Sequence, residues 1–168
     1  SFPTRRSSDL GTTASGSVVD DLPPGLALVV GSAEVVTTAS ASGGLLAADY
    51  NGTIGTQTII SVPGDGGSVT FSFTDVRTTA DNLTNNNVVL LRFLARVTDV
   101  AGNVGFPTAT TLSNSATNQV GAGTPTASNT VDVTVVEPRP VISKTFTPAS
   151  GSVNDVIRVT LSYQNTGT

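Results

Sequence analysis

The chain has 168 residues, a formal net charge of −4, and neither His nor Cys. The acidic balance with scattered arginines excludes an electrostatic footprint for nucleic acid. The missing His and Cys exclude Ser-His-Asp and Cys-His catalysis, disulfides and thiolate metal sites.

Thr (27 residues), Val (23) and Ser (18) dominate, against one Lys and two Glu. Thr and Val suit pleated, half-buried surfaces, and the near absence of Lys and Glu argues against helices. No apolar run approaches the ~18 residues that a membrane-spanning helix needs.

Ser1–Leu10 (SFPTRRSSDL) reads as a translated sequencing adapter, because the codons of a common short-read adapter give those ten residues in order. They are set aside from fold and function, Arg5 and Arg6 included. No Met stands anywhere in the chain, so further protein is expected upstream.

Strand signals then follow one another with turn chemistry between them, the pattern of a sandwich or barrel. Leu26–Val30 follows Leu22-Pro23-Pro24-Gly25, and Ala33–Thr38 follows Gly31-Ser32. Thr56–Val62 follows Asn51-Gly52 and leads into the turn Pro63–Gly67. Ser68–Val76 is the clearest strand: Val69, Phe71 and Phe73 alternate with Ser68, Thr70, Ser72 and Thr74.

Val88–Val97 is apolar on one face and partly apolar on the other, which predicts a central strand. Arg77–Asn87 is the longest polar loop. Thr110–Thr117 and Asn129–Val136 close this module. Pro138-Arg139-Pro140 then forms a stiff joint. Beyond it, Val141–Thr147 and Val156–Gln164 open a second module, with Ile157, Val159, Leu161 and Tyr163 on one face. No stretch before Ser17 is a counterpart of Val141–Gln164, so the first module is expected to lack its own first strands.

The expected organisation is therefore all-β, an immunoglobulin-like β-sandwich that is truncated and followed by the start of a similar module. Gly11–Glu137 is the first module, 138–140 the linker and 141–168 the start of the second.

Two stretches carry a family likeness. VVDDLPPGLALVVGSAEV, from Val18, resembles a surface-repeat segment with an acidic residue before Leu-Pro-x-Gly-Leu and a Gly-Ser-Ala turn. ISKTFTPASGSVNDVIRVTLSYQNTGT, from Ile142, resembles the start of such a repeat: a Lys-bearing strand, a turn, a strand and Asn-Thr-Gly. LSNSATNQV, ASNTVDVTVVEP and RVTDVAGN fit between them. The chain thus resembles the bacterial cell-surface repeat of the DUF-eleven type, which is related to isopeptide-forming fimbrial domains. The usual Gly-Asp turn is here Val153-Asn154-Asp155. The resemblance implies an immunoglobulin-like fold in a long exported protein at the bacterial cell surface.

It also implies two positions for an internal isopeptide bond, Lys144 as the amine and Asn114 as the amide. That chemistry needs a desolvated, neutral Lys beside an Asn and a buried acid. The two residues fall in different modules, so each would require a partner outside this chain. The bland alternatives are a strand Lys guarding an edge and an Asn bonded to backbone.

For calcium, Asp75, Asp81, Asn82, Asn85 and Asn87 supply oxygens in or beside one loop, and Asp99 and Asn103 in another. Calcium takes six to eight converging oxygens, EF-hand spacing is missing, and Asn and Asp are ordinary loop residues. No other cofactor is expected, and no catalytic residue emerges.

The function expected is a non-catalytic stalk or spacer that presents an adhesive or anchoring domain, with neighbouring repeats of the same chain as partners. One alternative is an adhesin-type module whose loops Arg77–Asn87 and Asp99–Phe106 contact a host protein or glycan. Another is an accessory domain of a secreted enzyme.

Overall fold

The computed structural model describes residues 12–105 and 108–167, with backbone alone for 12–14. The adapter-like stretch Ser1–Leu10 and Phe106 lie outside the described residues. These are nearly all β, with several antiparallel sheets, a single 3-10 turn at Ala39–Ala41 and no α-helix, an architecture consistent with a β-sandwich. No helix among them is long and apolar enough to cross a membrane.

The described chain divides into two compact units. One takes the residues up to Thr98 together with Leu112–Asp132; the other takes Asp99–Thr111 and the chain from Val133 onward.

The first unit is built on β1 (Thr12–Asp21) and β6 (Ser68–Thr78), which pair antiparallel along almost their whole length. On its far side β6 pairs with β5 (Gln57–Val62) and then β4 (Gly52–Ile54). β1 pairs on its far side with β10 (Ala116–Val120), and β10 with the short β11 (Thr126–Ala127).

The period-2 pattern on β6 holds at Val69 and Phe71, while Phe73 is only half-buried. Val69 and Phe71 are 0% and 2% exposed. Leu22, Leu26, Ala27, Leu28, Val36, Leu46 and Leu112 complete the buried apolar set of this unit. Fully burying side chains of this size contributes roughly 1.5–3 kcal/mol each, so this cluster carries most of the unit's stability.

β2 (Leu26–Leu28) and β3 (Glu34–Val36) are separated by the turn at Gly31-Ser32, where Gly31 takes a φ of 78°. Their partners are separated at the matching place. β8 (Ala95–Val97) pairs with β2, and β7 (Leu90–Arg92) pairs with β3. The single central strand expected over Val88–Val97 is therefore two short strands with one ladder partner each.

The cause lies in the facing turn. The Leu94 amide donates to Ser32 Oγ at 2.9 Å, and the Val29 amide donates to the Leu94 carbonyl at 2.8 Å. The chain thus changes partners at Phe93-Leu94 without losing its polar pairings. Leu94 and Val97 are left 60% and 52% exposed, so this segment is not a doubly buried core strand.

Thr110–Thr117 is also interrupted, at Ser115, into β9 (Thr111–Asn114) and β10. On β9, Ser113 Oγ donates to Asp132 of β12 (Val131–Thr134) at 2.7 Å.

In the second unit the loop from Asp99 folds back on itself. Thr110 donates its amide to the Val104 carbonyl at 2.8 Å, and its hydroxyl donates to the Gly102 carbonyl at 2.9 Å. The Val135 amide donates to the Thr110 carbonyl, and Val135 is buried. β13 (Pro140–Thr147) and β14 (Arg158–Asn165) then form a two-stranded antiparallel sheet. Pro140, expected in the linker, is the first residue of β13. A residue without an N–H is tolerated at that position.

Candidate functional site

The polar loop after β6 is organised by one carboxylate. Asp81 Oδ2 accepts from Asn51 Nδ2 at 2.7 Å and from Asn86 Nδ2 at 2.6 Å, while Oδ1 accepts the Leu83 amide at 2.8 Å. Hydrogen bonds from Leu83, Asn86 and Asn51, in that order, hold the Asp81 carboxyl below its ordinary value. Asn86 is buried, and its amide donates to Asp81. The loop is tied to β4 as well, because the Asn51 amide donates to the Asn86 carbonyl. Asp81 thus works as a loop staple, with both oxygens engaged by protein N–H groups.

The other oxygen-bearing residues do not gather round it. Asp75 receives the Arg77 Nε–H at 2.6 Å. Asn85 is exposed. Asp99 and Asn103 belong to the other unit. Among the described residues, no three His, Cys, Asp or Glu side chains stand close enough to hold a metal ion.

A second carboxylate pins the turn after β5. Asp65 Oδ1 accepts from the Thr98 hydroxyl at 2.6 Å and from the Gly25 amide at 2.8 Å. The Thr98 amide in turn donates to the Gly25 carbonyl. Thr98 first and Gly25 second lower the Asp65 pKa. The Gly-Asp-Gly-Gly turn therefore joins three separate chain segments as well as reversing direction.

Asn114 has a partner that sequence reasoning missed. Its Nδ2 donates to Asp20 Oδ1 at 2.8 Å. Asp20 stands opposite Val69 in the β1–β6 ladder, and Val18 stands opposite Phe71. The carboxylate thus lies on the same face as the buried side chains of β6. The Asn114 amide satisfies this half-buried acid, while its own Oδ1 has no hydrogen-bond partner. The signal was present: Val18 and Asp20 share a parity, so an acid occupies a place where the pattern calls for an apolar residue.

Lys144 lies in the other unit, on β13. It stands opposite Leu161, with Nζ 4.9 Å from the centre of the Phe146 ring. Lys144 and Asn114 are thus placed in separate units. Asp20 and Asn114 form an acid–amide pair, and Lys144 rests on the face of the Phe146 ring.

A shallow groove of about 500 Å³ is lined by Gly31, Ser32, Glu34, Arg92 and Leu94. Its charges pair with each other, Arg92 Nη2 to Glu34 Oε1 at 2.8 Å, across the β3–β7 ladder. An exposed pair of this kind is worth at most about 1 kcal/mol.

No family model, no curated protein and no solved structure matches the chain.

Proposed function

We propose that the chain is a non-catalytic structural repeat of an exported bacterial surface protein, a spacer that holds an adhesive or anchoring domain away from the cell. The observation that carries this reading is the β13–β14 hairpin. Ile142, Lys144 and Phe146 share one face with Val159, Leu161 and Tyr163. The opposite face carries Ser143, Thr145, Thr147, Arg158, Thr160, Ser162 and Gln164, with Val141 as its one large apolar residue. A ladder with one dry and one wet face is the opening of a two-layer β-module. It follows directly on a Pro-bracketed joint. One module, a joint and the opening of another is the grammar of a repeat array.

The polar clusters support the same reading. Asp65, Asp81 and Asn114 each tie the fold together: Asp65 accepts from the Gly25 amide and the Thr98 hydroxyl, Asp81 from the Leu83 amide and two Asn side chains, and Asn114 donates to Asp20. The mechanism is mechanical: short β-modules separated by Pro-containing joints keep an array extended.

Sequencing the parent gene in long reads free of adapter tests the proposal. Many tandem copies between an export signal and a wall or membrane anchor are expected. A single copy beside a domain with a catalytic constellation would overturn it in favour of an accessory domain. Tight binding of a host protein or glycan by one purified repeat would overturn it in favour of an adhesin.

A further inference from the structure

Pro138-Arg139-Pro140, the joint expected from the sequence, has proline at two of its three positions. Arg139 supplies the only backbone N–H in Pro138-Arg139-Pro140. That N–H is taken: it donates to Asn165 Oδ1 at 2.8 Å. The same oxygen accepts the Gly167 amide at 3.0 Å. The Arg139 carbonyl is taken as well, by the Thr166 amide at 2.9 Å, with the Thr166 hydroxyl 3.3 Å away.

The geometry has a simple origin. Pro140 stands opposite Asn165 in the β13–β14 register and cannot donate to the ladder. One residue further out the Asn165 side chain accepts the Arg139 N–H, and the Thr166 amide donates back to the Arg139 carbonyl. Pairing therefore runs past the end of the strand and into the joint.

Two glycines fit against the same stretch from separate segments. A Cβ at Gly167 would collide with the Glu137 carbonyl and stand 2.6 Å from the Arg139 nitrogen. A Cβ at Gly105 would collide with the Glu137 nitrogen and stand 2.9 Å from the Val136 carbonyl carbon. Neither position has room for a side chain. The Val136–Arg139 backbone thus lies against Gly105 of the folded-back loop and Gly167 after β14. All of these residues belong to one compact unit.

We infer that Asn165-Thr166-Gly167 is a clasp that locks the Pro138–Pro140 joint, through Arg139, to the β13–β14 hairpin. It fixes the direction in which the hairpin leaves Val133–Val136. The clasp makes the joint a stiff element, where a bare three-residue linker would pivot at Arg139. Its use in keeping an array extended rests on the spacer reading; the clasp itself does not.

The absence of cysteine allows clean double labelling of the full chain. Spin labels at Ala101→Cys and Ser162→Cys, both exposed and both outside the clasp, report the loop-to-hairpin distance. One narrow distance is expected. Asn165→Ala and Gly167→Val should each replace it with a broad distribution. Asn165→Asp keeps the acceptor and should keep the narrow peak.

Amide exchange at Arg139 gives a second readout. It is expected to be slow in the native chain and in Asn165→Asp, with protection lost in Asn165→Ala. An unprotected Arg139 amide, or a distribution already broad in the native chain, would overturn the clasp. So would an unchanged peak in Asn165→Ala and Gly167→Val. None of these results bears on copy number in the parent gene, so the clasp and the spacer reading fail separately.

Discussion

The β1–β6 ladder and the β13–β14 ladder are written in the same code and end in opposite states. On β6 the dry face is covered, with Phe71 2% exposed. On β14 the dry face is open, with Leu161 64% and Tyr163 74% exposed. Alternation decides that a strand has a dry face; it does not supply the layer that dries it. Leu22, Leu26 and Leu28 of β2, Val36 of β3 and Leu46 are buried in the same unit as β6. The hairpin holds its shape by backbone pairing and by the Asn165 clasp. An isolated two-stranded ladder is marginal in water, so the two regions should differ widely in local stability.

Substitutions can break that comparison, and the largest effect belongs to the covered face. Phe71→Ala should destabilise the first unit by about 3–5 kcal/mol, the usual cost of emptying a packed aromatic site. Urea unfolding followed by circular dichroism measures it. A loss below about 1 kcal/mol would mean that the layer over β6 is loosely packed.

Asn114→Ala comes next. It leaves the Asp20 carboxylate on the inner face without its amide donor, at a cost of about 1–3 kcal/mol. The same unfolding assay reads it. Asn114→Asp should be worse than Ala, because it sets two carboxylates side by side.

Acid should weaken the first unit by a smaller, titratable amount. Asp65 and Asp81 both have folded pKa values below the ordinary 3.8. Their contribution is fully present above that value and is lost as the pH falls through the lower folded values. Thermal melts between pH 5 and pH 2 should show a falling midpoint, and Asp65→Asn with Asp81→Asn should flatten the slope. A slope unchanged in the double variant would show that these two staples do not set the acid limb.

The smallest effect belongs to the open face. Leu161→Ser should change global stability by no more than about 0.5 kcal/mol, the ordinary range for an exposed position. A large loss would mean that the hairpin's dry face is already covered in solution.

Much of this was legible in the residues. Alternation located β6, β12 and β14, and turn residues or the Pro-rich joint marked out β5 and β13. β1 was missed for a physical reason. Thr-Thr-Ala-Ser-Gly-Ser carries no apolar alternation, and the strand forms because β6 and β10 flank it on both sides. The break at Phe93-Leu94 was hidden because it is dictated by a turn some sixty residues earlier, through Ser32.

The site residues divide the same way. Asn114 and Asp81 were visible as polar residues in structured places. Their partners Asp20, Asn51 and Asn86 were not, because side-chain pairing across 94, 30 and 5 positions is a property of register. The joint looked like a plain linker, since the group that binds it, Asn165, lies 26 residues further on.

Native-state amide exchange across the whole chain tests the central contrast most directly. The inner amides of β1 and β6 should exchange only through global unfolding, while those of β13 and β14 exchange through cheaper local opening. Equal protection in the two ladders would contradict the account, because it would require the β13–β14 dry face to be covered as completely as that of β6.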